Sequence, residues 1–215
     1  MKDGAWARLG VDVAADGGDE FVICRIVGDV IETCYCSSGT MNDDQVLVAE
    51  KVLEEIKAAQ RLADALGSPH PVRVKVDQNG IGHVVVSMLK RWADTGRHQA
   101  QIVGVMVSES PTQDDPGALM RPYRKRDEMW LATRGLLQPD PSTGLGRLRL
   151  RVNRQTGIQP STPHLGSNSA GYSVVESKKA MKQRGMKSPD RADATLLTVY
   201  EPEPINPPRR RGLLN

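Results

Sequence analysis

The order of elements in the first hundred residues restricts the fold more than any other feature. Leu9, Val11 and Val13 alternate with Gly10, Asp12 and Ala14, the period-two signature of a strand. Asp16-Gly17-Gly18-Asp19 and Gly28-Asp29 are hairpin turns, and they divide ARLGVDVAADGGDEFVICRIVGDVIETCYCSS into three strands. Turns this short make the three strands antiparallel. A long helix follows from about Asp44 to Leu66, capped by Asn42 or Asp43, with Val46, Ala49, Leu53, Ile56 and Leu62 near helical spacing. Gly67-Ser68-Pro69 stops it. VRVKVD is a fourth strand running into Gly80 and a helix to about Thr95, and IVGVMVS is a fifth. Three antiparallel strands followed by helix, strand, helix, strand make an α/β unit with a mixed central sheet flanked by helices.

The second half is less regular. Residues 108–118 form a polar loop, Tyr123 to Leu137 is helical, and LRLRVN alternates as one arm of a hairpin. Residues 155–171, rich in Gly, Ser, Thr and Pro, read as mobile. A short amphipathic stretch from Val174 to Arg184 precedes Ser188-Pro189, an N-cap with proline in the first turn of a helix reaching about Tyr200. Residues 1–200 form a single domain, and the tail 201–215, EPEPINPPRRRGLLN, is expected to be disordered.

Charge is unevenly distributed along this order. Residues 1–60 carry 5 basic and 12 acidic side chains, whereas residues 121–154 carry 9 basic and 3 acidic. An acidic front and a basic back suit a cation site beside a polyanion track. With 39% hydrophobic and 26% charged residues the chain is not disordered throughout, and 4% aromatics argue against a stacking platform for single-stranded nucleic acid. No apolar run approaches a membrane span, so no membrane partner is expected. Three cysteines, with Cys34 and Cys36 too close to pair, read as reduced thiols of a cytoplasmic protein. Neither these nor the scattered His70, His83, His98 and His164 have zinc-ligand spacing; His83 could face a site formed after Asp77.

Acidic residues stand where elements end or begin. Asp12 lies on the first strand, Asp77 ends the fourth, and Asp190 opens the last helix with Asp193 one turn on, on the same face. Taken singly, each has an ordinary reading as a turn or cap residue. A carboxylate inside LGVDVA, however, costs several kcal/mol unless paired or metal-bound. If the first and fourth strands are neighbours, Asp12 and Asp77 converge at one edge, and a hard divalent cation relieves their repulsion.

The segments GVDVAADGGDEFVI, VKVDQNGIGHVVVSMLKR, RDEMWLATRGLL and ESKKAMKQRGMKSPDRADATLLT, in this order, resemble the C-terminal nuclease domain of tailed-phage terminase large subunits. The resemblance runs from about Leu9 to Tyr200, and KKAMKQRGMKSPDRADA is its most specific part. It implies a ribonuclease H-like fold, related to integrases and junction resolvases. It also implies catalytic, metal-holding carboxylates at Asp12, Asp77 and Asp190, with Asp19 and Asp193 as outer-shell or second-metal candidates. The implied partners are double-stranded DNA, the terminase ATPase domain, the portal and the small terminase subunit, in the host cytoplasm. A complete terminase motor also carries a phosphate-binding loop; no G-x-x-x-x-G-K-[ST] occurs here, so the expectation is an excised or separately encoded nuclease domain.

The chemistry agrees with the resemblance. Phosphodiester hydrolysis needs charge neutralisation, a hydroxide near neutral pH and a stabilised leaving group, which two Mg²⁺ or Mn²⁺ ions roughly 4 Å apart supply. Asp12 is assigned the bridge, as the carboxylate on a strand centre. Lys178, Lys179, Lys182, Arg184 and Lys187 form a basic flank for the DNA backbone, and Arg147, Arg149 and Arg151 project from one face of LRLRVN towards a duplex. For both runs the bland alternative is a solvated surface. Two rival functions remain: a junction resolvase or ribonuclease H on the same fold, and a catalytically silent DNA-binding or motor-docking module.

Overall fold

The computed structural model describes residues 5–14, 18–112 and 119–201. Its centre is a six-stranded mixed sheet in the order β5-β4-β1-β2-β3-β6. Strands β1 (Ala7–Asp12), β2 (Phe21–Val27) and β3 (Val30–Ser37) are antiparallel neighbours, as expected. Strand β4 (Arg73–Asp77) lies parallel to β1, and β5 (Gln101–Val105) lies parallel to β4. Two long helices cover one face: α1 (Gln45–Ala65) and α2 (Gly82–Asp94).

Alternation on β1 decides which residues meet which layer. Ala7, Leu9 and Val11 are buried in one core with Val48, Val52 and Ile56 of α1 and Val85 and Leu89 of α2. Arg8, Gly10 and Asp12 therefore face the opposite side. That side is covered by α6 (Asp190–Val199), in which every residue but Val199 is buried. Gly10 allows the approach: a Cβ there would collide with the Ala194 carbonyl oxygen and lie 2.5 Å from the Thr198 nitrogen. Helix α3 (Lys125–Leu137) packs beside α6, where Met129 and Trp130 share a second core with Ala192, Leu196 and Leu197.

Several local expectations change. Asp44 caps α1, its carboxylate accepting from the backbone N–H groups of Val46 and Leu47, so neither Asn42 nor Asp43 does so. LRLRVN is no hairpin arm. Its three-residue strand β6 (Arg149–Arg151) runs parallel to β3 at the sheet edge. The segment read as mobile holds α4 (Arg154–Ile158), capped by Asn153, and β7 (Leu165–Ser167). β7 pairs antiparallel with β8 (Ser173–Val175), so the amphipathic stretch from Val174 splits into that strand and α5 (Lys178–Gln183), capped by Ser177.

Pro189, not Ser188, occupies the α6 N-cap position. Part of the first hairpin turn, part of the polar loop and the tail beyond Glu201 lie outside the described residues. Glu201 itself is packed against the sheet, contrary to the expectation for the tail's first residue: it accepts from Arg8 and Lys75 and forms an ion pair with Arg73. Among the described residues no helix is long and apolar enough to cross a membrane.

Candidate metal centre

Parallel pairing of β1 and β4 puts the last residues of both strands at the same sheet edge, where ligands bind in open α/β sheets. Asp12 is the terminal residue of β1, opposite Val22, and not on the strand centre that motivated its assignment as a bridge. Asp77 ends β4 opposite Val105. The first turn of α6 adds Asp190 and Asp193. Carboxylates from three distant segments thus converge.

One ammonium lies among them. Lys178 Nζ is 3.1 Å from Asp12 Oδ2, 2.9 Å from Asp190 Oδ1 and 3.2 Å from Asp193 Oδ2. This corrects the placement of Lys178 on a duplex track: the first residue of α5 points into the carboxylates. Its own burial lowers its pKa, but Asp12, Asp193 and Asp190 outweigh that and hold it above the usual lysine value. Burial pushes the Asp12 carboxyl up to about 8 against the attraction of Lys178, with Asp193, Asp77 and Asp190 adding repulsion. Asp77 is likewise raised, chiefly by burial, although the Asn79 N–H opposes the shift. Both directions have one leading cause, burial of the carboxyl away from water, to which repulsion between the aspartates adds.

The remaining lone pairs are oriented by neighbours. Asp190 Oδ2 accepts from the Glu20 backbone N–H at 2.8 Å, and Oδ1 accepts from the Ser188 hydroxyl at 2.6 Å. Ser188 thus steadies Asp190 where a cap on α6 was expected. Arg191 grips Glu20 through two hydrogen bonds of 2.7 and 2.8 Å, fixing the loop that supplies that N–H. Asp77 Oδ1 accepts from the backbone and side-chain nitrogens of Asn79 at 3.0 and 2.9 Å. Gln78 and Asn79 belong to the turn after β4.

The other candidates are placed apart. Asp19 pairs with Lys182 at 2.8 Å. Arg184 is engaged by Glu176 at 2.7 Å and by the Thr162 carbonyl at 2.8 Å. Arg149 makes two hydrogen bonds to Asp29, Arg151 pairs with Glu32, and Arg147 lies before the strand. Lys179 and Lys187 are exposed and pair with no acid among the described residues. His83 is exposed on the first turn of α2. Cys24, Cys34 and Cys36 are free thiols, each raised to about 11 by burial.

Oxygen donors without imidazole or thiolate are the chemistry of a hard divalent cation. Among the described residues no three metal-ligating side chains are arranged to hold an ion as they stand. The ammonium of Lys178 lies between Asp12, Asp190 and Asp193.

Sequence reasoning missed Trp130 and Lys75, and gave Lys178 to the DNA backbone rather than to the carboxylates. Trp130 donates its indole N–H to Asp193 at 3.3 Å. Lys75, fully buried, donates to the Thr198 and Tyr200 carbonyls and to Glu201. For Lys75 a signal existed: in VRVKVD the residues alternating with buried valines also face a layer, because β4 is an interior strand.

The fold is that of phage terminase nucleases. The nuclease domain of the large terminase subunit gp2 of bacterial virus Sf6 aligns with a TM-score of 0.64 at 19% identity, over 94% of this chain and 91% of that one. A K428A mutant of that domain, with manganese and beta-thujaplicinol, aligns at 0.66 and 18% identity, over 94% and 91%. The large terminase nuclease from thermophilic phage G20c aligns at 0.54 and 12% identity, over 93% and 87%. No family model and no curated protein matches the sequence.

Proposed function

We propose that the chain is a divalent-metal-dependent endonuclease that cuts double-stranded DNA with little sequence preference during phage genome packaging. One observation carries the reading: three aspartates from β1 and α6 pair with a single ammonium while Asp77 of β4 stands close enough to repel Asp12, leaving a buried carboxylate site short of positive charge. Asp12, Asp77 and Asp190 would hold two Mg²⁺ or Mn²⁺ ions, with Asp193 beside them. Support comes from the shared fold, since the Sf6 domain was solved with manganese and the G20c nuclease with magnesium and with cobalt. Bound ions would supply a hydroxide near neutral pH and neutralise the phosphodiester.

The chain's own residues have definable tasks in this scheme. Asn79 holds one oxygen of Asp77 and so presents the other. Ser188 and the Glu20 N–H fix the plane of the Asp190 carboxylate, and Asp12 joins the two from the β1 terminus. Lys178 balances part of the negative charge until ions replace it. Lys179 and Lys187, exposed on the same segment, are the leading contacts to the DNA backbone. The ATPase domain, portal and small subunit of a terminase are the proposed partners, in the host cytoplasm.

A substrate panel tests this reading. Linear duplex, a four-way junction and an RNA–DNA hybrid are each incubated with Mn²⁺, Mg²⁺ or chelator. Metal-dependent cutting of plain duplex is expected; preference for the junction or the hybrid replaces the reading with a resolvase or ribonuclease H. The silent DNA-binding module has one observation in its favour, the lack of a ready-made metal group among the described residues. It predicts DNA retention with no cutting under any metal.

A further inference from the structure

Asp193 differs from the other aspartates in what holds it. Its Oδ2 faces Lys178, while Oδ1 accepts from the Trp130 indole N–H at 3.3 Å and lies 3.7 Å from Arg126 Nε. Arg126 and Trp130 are four residues apart on α3 and so share one face of that helix. The guanidinium lies over the indole, 5.7 Å from the ring centroid. Its Nη1 donates to the Val175 and Glu176 carbonyls at 3.5 and 2.9 Å, in the segment leading into Lys178. Nε and Nη2 of Arg126 are buried without a hydrogen-bond partner.

A tryptophan buried in a core needs only a nearby acceptor for its N–H, and a backbone carbonyl would serve. Here the acceptor is a carboxylate at the site, and a buried guanidinium with two unused donors stands beside it. Leaving such donors unpaired costs free energy, which is tolerated where a site needs a fixed field. Both groups act on the same oxygen, Oδ1, and neither touches Oδ2.

We propose that Trp130 and Arg126 are positioning residues that present Asp193 as the fourth carboxylate of the metal centre, pinning Oδ1 and leaving Oδ2 free to replace the Lys178 ammonium with a metal ion. This inference rests on the metal-centre reading above. Partners that orient a metal ligand are typically worth about 10- to 100-fold in metal affinity.

The test is a cycle measured by calorimetry on the full chain, with Mg²⁺ alone as the probe, for wild type, Trp130→Phe, Asp193→Asn and the double variant. Trp130→Phe is expected to weaken Mg²⁺ binding about 10-fold, and the double variant to bind no more weakly than Asp193→Asn alone. Indole emission gives a second signature: Mg²⁺ should shift it in wild type and leave the Trp130→Phe spectrum unchanged. Should Trp130→Phe not fold, Arg126→Gln takes its place in the same cycle, with the same result expected. Wild-type affinity in these variants, or losses that multiply in the double variant, overturns the inference. If Asp12→Asn abolishes Mg²⁺ binding while Trp130→Phe does not change it, only the positioning role falls. A wild-type chain that binds neither Mg²⁺ nor Mn²⁺ removes the metal-centre reading and this inference together.

Discussion

Helix α6 carries a cluster of excess charge at each end, opposite in sign. At its N-terminus three aspartates, with Asp77 beside them, share one ammonium, Lys178, whose side chain is 34% exposed. At its C-terminus three cations, Arg8, Arg73 and Lys75, share one carboxylate, Glu201. Each sign suits the helix dipole at that end. The clusters differ in closure. Lys75 is fully buried, and its three oxygen acceptors match the three N–H bonds of an ammonium, two of them carbonyls of the helix terminus. Asp12 and Asp77 at the anionic end are raised much as Lys75 is lowered, each chiefly by burial, but Asp77 has no ammonium within pairing distance among the described residues. A closed cluster holds the helix in place; an open one has capacity to bind.

Neutralising one residue at each end separates these roles. Asp12→Asn should lower plasmid nicking by about a thousandfold or more, since it removes a ligand of the reaction centre. It should also raise the metal-free melting temperature by a few degrees, corresponding to about 1–2 kcal/mol of relieved repulsion. The sign with pH follows. A carboxyl raised on folding to about 8 stabilises the metal-free protein below its unfolded pKa, and that contribution is lost as pH rises towards 8. Urea melts from pH 4 to 8 should show this fall in wild type and a flatter course in Asp12→Asn.

Lys75→Met is the opposite intervention. It should cost about 2–4 kcal/mol of stability in urea, because it strands helix carbonyls and part of Glu201, while nicking per folded molecule is retained. Burial pulls Lys75 down to about 7 against the attraction of Glu201, so its contribution is complete above the unfolded lysine pKa and lost as pH falls through 7. Wild type should therefore gain stability from pH 7 to 10 at this end, and the variant should lack that gain. If Lys75→Met abolished cutting in fully folded protein, the division between a closed and an open end would be wrong.

The smallest effect is expected on the far sheet edge. Neutralising Arg147, Arg149 and Arg151 together should weaken duplex binding and lower the steepness of its salt dependence by no more than about one unit per residue. Arg149 and Arg151 already serve Asp29 and Glu32, so their share should be below that ceiling. Unchanged affinity and salt slope would show that this edge faces away from DNA and leave the Lys179 to Lys187 segment as the track.

Elements whose pattern is local were legible in the sequence. Alternation in LGVDVA and the turns at Gly28 and Gly67 specify strand and helix limits that the structure reproduces, both glycines having positive φ. The convergence of Asp12 and Asp77 followed once β1 and β4 were taken as neighbours. What was illegible depends on contacts distant along the chain. Arg149 to Arg151 alternate like a hairpin arm, yet their partner is β3, more than a hundred residues earlier. Lys178 sits in a run of lysines that looks solvated, and only the meeting of α5, α6 and β1 turns it inward. Ser188 has the composition of a cap, but the nearby Asp190 carboxylate takes its hydroxyl.

The most direct measurement of the central claim is the melting temperature of wild type and Asp12→Asn at pH 7.5, with chelator and with millimolar Mg²⁺, Mn²⁺ or Ca²⁺. An ion that binds only the folded chain stabilises it by mass action, here by about 1–3 kcal/mol. Wild type should rise by several degrees with each cation, and Asp12→Asn, already higher in chelator, should rise little. A wild-type melt that none of the three ions moves would contradict the account.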